Sequence, residues 1–173
     1  TPDPVTLNKI LNQMVSRGIE YCFMEVSSHA IDQKRTLGLK FKVGVFTNLS
    51  HDHLDYHNEF SKYRDVKKEF FDFLGKDAIA IVNFDDKNGP YMIQNCSSKS
   101  FSYSLKTNSN FSLKILEKDL NGMKLKINNH EIWTKLIGDF NAYNILATFS
   151  LAQILNFELE KTLNKISLLN GVD

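Results

Sequence analysis

Three short apolar runs, residues 21–26, 43–47 and 78–82, punctuate the first half of the chain. Each is too short for a helix and too continuously apolar for a strand with one wet face. Runs of that kind suit strands of a parallel sheet covered on both sides. Helical patterns lie around them. Leu7, Ile10, Leu11 and Met14 recur at helical spacing after Pro4, with Gly18 as a stop. A longer pattern from about Glu59 to Leu74 has Phe60, Tyr63, Val66, Phe70 and Phe73 as its apolar stripe. Alternation of strand and helix predicts an α/β domain with a mostly parallel, Rossmann-like sheet flanked by helices. Reactive groups in such sheets gather at the carboxyl ends of the strands.

From about Ser100 to Trp133 the runs alternate in polarity, with turn signals at Asn121-Gly122 and Asn128-Asn129. That pattern predicts a small antiparallel sheet appended to the domain. Asp139 is placed to cap a helix from about Asn141 to Leu155, and another helix follows from Glu158 to Leu168. With 173 residues, 42% of them hydrophobic, the chain fits one domain with a sizeable core. A formal net charge of +1 gives no field to draw it to nucleic acid or an anionic membrane. An anionic ligand must therefore be caught locally. No apolar run approaches the roughly 20 residues of a membrane span. Cys22 and Cys96 form neither a CxxC pair nor a zinc-site spacing, which suits a reducing cytoplasm. The start at Thr1-Pro2-Asp3-Pro4 has no methionine and no signal peptide, and the chain stops at Asp173 with no polar tail. These ends read as those of a piece of a longer protein.

Three polar clusters carry the chemistry. Glu25-Val26-Ser27-Ser28-His29 closes the first apolar run. A carboxylate there is costly unless it is paired, holds a metal, or is capped by the backbone N–H groups of the next helix. The stretch from Thr47 to His57 follows the second run and holds three of the five histidines. It reads either as a metal site or as a solvated polar loop, oxygen ligands suiting Mg²⁺ and several imidazoles suiting zinc or manganese. Lys67 falls on the buried-looking side of the 59–74 helix, near Tyr63, Phe70 and Phe71. A desolvated lysine can lose its proton, and a neutral amine can take up carbon dioxide as a carbamate. Lys67-Lys68 taken alone reads as a solvated helix face. Spacing by itself supports a metal-assisted site on an α/β domain.

The combination is more specific than its parts. Met24-Glu25-Val26-Ser27-Ser28-His29-Ala30 with Gln33 and Arg35, then Phe46-Thr47-Asn48-Leu49-Ser50-His51-Asp52-His53-Leu54-Asp55-Tyr56-His57, then Tyr63 and Lys67, resembles the central-domain signature of the Mur ligases. Within that family it looks most like the MurE type, which makes UDP-N-acetylmuramoyl-tripeptide. Thr1-Pro2 and the stretch from Gly138 to Asn144 add to the likeness, and residues 86–135 carry no signature. The resemblance implies that Glu25 and His53 bind Mg²⁺ and that Lys67 is carbamylated and holds the metal. It implies that Thr1, Ser27, Gln33 and Arg35 hold the UDP-N-acetylmuramoyl-dipeptide, and that Asn141 and Asn144 face ATP. The implied reaction is an ATP-dependent amide ligation. Phosphoryl transfer turns a substrate carboxylate into an acyl phosphate, which a free amino acid's amine attacks, cations offsetting the repulsion between two anions.

Meso-2,6-diaminopimelate is the expected amino acid, with L-lysine as the alternative. A sister Mur ligase, a folylpolyglutamate synthetase and a non-catalytic metal-binding domain are the competing readings. A cytoplasmic monomer without nucleic-acid or membrane partners is implied. One departure stands out: no GxxGKT-type phosphate loop is present, and Gly75-Lys76-Asp77 follows a helix instead of opening one. The loop is expected upstream of Thr1 and the amino-acid-selecting domain beyond Asp173, so this chain alone is expected to lack ligase activity.

Overall fold

The computed structural model describes residues 1–50 and 59–170. The histidines of the second polar cluster, His53 included, lie outside the described residues. The chain builds α1 (Pro4–Ser16), α2 (Ser28–Asp32), β1 (Val43–Phe46), α3 (Phe60–Asp72), β2 (Ile79–Asn83), α4 (Gly89–Met92) and β3 (Lys99–Ser104). It continues with β4 (Phe111–Asp119), β5 (Gly122–Ile127), β6 (His130–Thr134), α5 (Asp139–Ile154) and α6 (Leu159–Ser167). The start of α1 follows from its sequence: the Asp3 carboxylate accepts the N–H groups of Val5 and Thr6, and Pro4 sits in the first turn, where no N–H is needed. Gly18 takes a φ of +70° just past its end, as a helix stop does.

The strands form one sheet in sequential order. β1 to β4 pair in parallel, and β4 to β6 are antiparallel, with a register shift in β4 between Ile115 and Glu117. The expected α/β architecture with an antiparallel extension is what forms, with three differences. β3, expected in the antiparallel part, pairs in parallel with β2. It runs from exposed at Lys99 to buried at Tyr103 and Ser104, and α4 lies in the crossover that parallel pairing requires. The run 21–26, expected as a strand covered on both faces, forms no ladder among the described residues. Tyr21 is 46% and Phe23 66% exposed. The segment and β1 both line a cavity of about 930 Å³. Asp139, expected as a helix cap, is instead the first residue of α5; Gly138 holds the cap position at φ +89°, and the Asp139 carboxylate pairs with Lys118 at 3.0 Å.

β2 divides the interior. Ile81 points to one core with Tyr103, Leu125, Ile145 and Phe149, beneath α5 and α6. Ala80 and Val82 point to the other, with Phe46, Tyr63, Phe71 and Met92 around α3 and α4. Period-two alternation thus serves two buried faces, and burying one large side chain such as Phe149 contributes about 1.5–3 kcal/mol. The apolar stripe of α3 differs from expectation at its end: Phe73 is 77% exposed, while Phe71 and Leu74 are buried.

Gly89 opens α4 against the end of β2, where an added Cβ would lie 1.9 Å from the carbonyl oxygen of Asn83. Gly89→Ala is expected to cost about 1–3 kcal/mol, read as a lowered thermal midpoint. Gly75→Ala, with open space around its Cβ, should stay within about 0.5 kcal/mol of wild type.

Candidate active site

Residues far apart in sequence converge on Thr1. Its hydroxyl donates to the Glu25 carbonyl at 2.7 Å and accepts the N–H of Ser27 at 3.2 Å. The Arg35 guanidinium donates through Nη1 to the Thr1 carbonyl at 2.8 Å, and through Nε and Nη2 to Gln33 Oε1 at 2.9 and 2.6 Å. Ser27 also caps α2, its hydroxyl accepting the N–H of Ala30 at 3.2 Å. Thr1, Ser27, Gln33 and Arg35 therefore form one hydrogen-bonded patch beside the backbone of Glu25. Arg35 is only partly buried, so its fork can face both the protein and an anion.

Glu25 and Lys67 line the same 930 Å³ cavity, together with Thr47, Asn48 and Asn144. Lys67 and Lys68 part company on α3. The Lys68 ammonium pairs with Asp72 at 2.5 Å, whereas Lys67 turns inward, its Nζ 5.5 Å from the centre of the Tyr63 ring. Burial pushes the Lys67 amine below its ordinary 10.5, and the Glu25 carboxylate opposes part of that shift. The amine is thereby brought closer to the neutral, nucleophilic form that can add carbon dioxide.

Of the two asparagines on α5, Asn144 lines the cavity. Asn141 spends an amide N–H on the Ile137 carbonyl at 2.8 Å, a bond of the helix start. Between them Tyr143 faces inward, its hydroxyl donating to Asp85 at 2.9 Å. Burial and that bond push the Tyr143 phenol up to about 12. Burial alone would raise Asp85, but the donors on Ser104, Leu105, Tyr143 and Lys106 outweigh it and hold the carboxyl below its ordinary value. The turn after β2, Asn83 to Asn88, thus ties α5 and β3 to the strand ends, and Asp86 accepts the N–H of Leu49 at 2.8 Å. Sequence reasoning missed this turn. The same signal used for the other clusters, polar residues closing an apolar strand, marks it.

Among the described residues, no three of His, Cys, Asp and Glu gather into a metal-ligating group. Glu25 with a carbamate on Lys67 would present oxygen donors, the set Mg²⁺ favours, whereas a Lys67 ammonium would repel the cation. A lysine with its folded pKa below 10.5 binds its proton more tightly in the unfolded chain, so its contribution to stability becomes more favourable as pH rises toward 10.5. Denaturant unfolding of wild type and Lys67→Met between neutral pH and 10.5 should show wild type gaining on the variant as pH rises. Parallel stability curves would contradict a buried amine.

A profile of the Mur ligase middle domain matches residues 1–152. Over 172 residues the chain is 50% identical to the UDP-N-acetylmuramoyl-L-alanyl-D-glutamate--2,6-diaminopimelate ligase of Bacteroides thetaiotaomicron, covering 99% of this chain and 36% of that protein. The ligase of the same name from Phocaeicola vulgatus is 51% identical over the same shares. A solved structure of a 2,6-diaminopimelate ligase of that name superposes with a TM-score of 0.90 at 27% identity, over 100% of this chain and 37% of the other. The chain thus spans little more than a third of the length of the relatives it matches. With the six-stranded sheet, the strand-end cavity and a match over most of its length in agreement, the chain belongs to the Mur ligase middle-domain family.

Proposed function

We propose that the whole protein carrying this chain is an ATP-dependent, ADP-forming ligase. It joins meso-2,6-diaminopimelate to UDP-N-acetylmuramoyl-L-alanyl-D-glutamate through an acyl phosphate, in the cytoplasm, as a monomer with no nucleic-acid or membrane partner. One observation carries the reading: Glu25 and Lys67 share a cavity beside a hydrogen-bonded Thr1, Ser27, Gln33 and Arg35 patch. The names of the relatives at about 50% identity supply the reaction.

Each residue then has a physical task. Arg35, held by Thr1 and Gln33, presents a fixed cation to the anionic substrate, and Thr1 and Ser27 shape the backbone it lies against. Glu25, His53 and carbamylated Lys67 hold Mg²⁺, which when bound supplies charge neutralisation between the two anions that must meet. Addition of carbon dioxide to the neutral Lys67 amine forms an N–C bond, releases one proton and leaves the side chain with one negative charge. Asn141 and Asn144 face the nucleotide from α5, Asn141 with one amide N–H already given to the Ile137 carbonyl and Asn144 from the cavity lining. No helix among the described residues is long and apolar enough to cross a membrane.

Two parts of the machinery belong, in this reading, to other segments of the protein: a GxxGKT-type phosphate loop and the domain that selects the amino acid. The cavity supports the first. It is bounded by segment 20–26 on one side, β1 on the other, and by residues of α3 and α5, the two layers that sandwich the sheet. A slot between those layers suits one more strand, for which neighbours stand about 4.8 Å away on each side. This chain alone would have no ligase activity.

Lys67→Ala in the full-length protein is expected to lower kcat by a factor on the order of 100 or more, with partial rescue by a small carboxylic acid. Intact turnover would favour a non-catalytic metal-binding domain. Arg35→Lys keeps the charge and loses the fork, so KM for the UDP-linked substrate should rise about tenfold with kcat little changed. A panel of meso-diaminopimelate, L-lysine and other amino acids on the full-length enzyme decides the third residue.

A further inference from the structure

Beyond the end of β1 the chain is held by side chains from its neighbours. Asn83, 5% exposed at the end of β2, donates to the Thr47 carbonyl at 2.8 Å and accepts the N–H of Asp85 at 3.0 Å. The Tyr103 hydroxyl donates to the Phe46 carbonyl at 3.3 Å. Asp86 uses both carboxylate oxygens. Oδ2 accepts the N–H of Leu49 at 2.8 Å, and Oδ1 accepts the backbone N–H and the amide of Asn88 at 2.7 and 3.0 Å. Asn88 is itself 5% exposed and Leu49 9%, so water competes poorly for these groups. Thr47, which carries the Asn83 tie, and Asn48, between it and the Asp86 tie at Leu49, line the cavity that Glu25 and Lys67 share.

We infer that Asp86 is a positioning residue of the active site: by holding the Leu49 N–H it fixes how β1 ends, and so where Thr47 and Asn48 stand beside Glu25 and Lys67. The role needs a carboxylate. Three N–H donors converge on its two oxygens, and an asparagine would turn an NH₂ group toward one of those donors. The buried N–H left facing that group has no acceptor, and the end of β1 is released. His53 follows Leu49 by four positions, so the tie lies directly before the histidine-rich run in the chain. The patch around Thr1 and Arg35 hangs on α1 and the turn after α2 and shares no hydrogen bond with Asp86 among those described.

This inference rests on the ligase reading, and the test separates the two. In the full-length enzyme, Asp86→Asn is assayed beside Lys67→Ala, with kcat, KM for the UDP-linked substrate and the Mg²⁺ concentration for half-maximal rate measured for each. A displacement of about 1 Å at reacting groups costs on the order of 100-fold, so kcat for Asp86→Asn should fall about tenfold to hundredfold. The half-saturating Mg²⁺ concentration should rise, while KM for the UDP-linked substrate stays within about twofold. A kcat within about twofold of wild type overturns the role, as does a loss spread evenly over kcat, every KM and the thermal midpoint. If Asp86→Asn does not fold, Asn88→Ala decides. It keeps the carboxylate and its bond to Leu49 and removes one of the donors that orient it, so a smaller fall in kcat of the same kind is expected and an unchanged kcat overturns the role. Full activity in Lys67→Ala removes the ligase reading and the role with it; an inactive Lys67→Ala beside a fully active Asp86→Asn removes the role alone.

Discussion

A strand that ends inside a protein leaves peptide groups that its ladder no longer satisfies, and those that stay buried must find other partners. In a parallel sheet these ends fall along one edge, so the requirement is concentrated there. The structure meets it with side chains: Asn83 and Tyr103 satisfy carbonyls at the end of β1, Asp86 satisfies the Leu49 N–H, and Asp85 gathers Ser104, Leu105, Lys106 and Tyr143. The polar residues that satisfy the backbone and those assigned to chemistry occupy the same edge for the same reason.

Lys67 shows how such an edge changes a side chain's chemistry. On an isolated helix its amine would be wet and protonated. On α3 beside the cavity it is desolvated, and among the described residues the Glu25 carboxylate opposes the loss of its proton. The balance between burial and one counter-charge sets whether this group is a cation or the precursor of an anion. The counter-charge cannot be read from the helix that carries Lys67, because Glu25 lies far away in the chain, and the helix's own Tyr63 covers only part of the amine.

Segment 20–26 illustrates the opposite dependence. Its composition is that of a covered strand, yet Tyr21 and Phe23 are exposed and no ladder forms among the described residues. Strand propensity describes fitness for a pleated, buried surface, and such a surface exists only when neighbours stand at ladder distance. Here the segment lines a cavity that β1 also lines.

The sequence alone determined the α/β class, the boundaries of α1, α3 and α6 to within a few residues, the hairpin turns at Asn121-Gly122 and Asn128-Asn129, and the polar clusters around Glu25 and Lys67. These depend on local periodicity, on cap and turn residues, and on the position of polar groups after apolar runs, all of which are written within a few residues of chain. The tertiary structure decided the rest. It put β3 in the parallel part, left 21–26 without a ladder among the described residues, exposed Phe73, made Gly138 the cap of α5, and gave Asp85 and Asp86 their partners. Pairing, burial and hydrogen-bond satisfaction are set by which distant segments come to lie within a few ångströms of one another, and no local window of sequence contains that information.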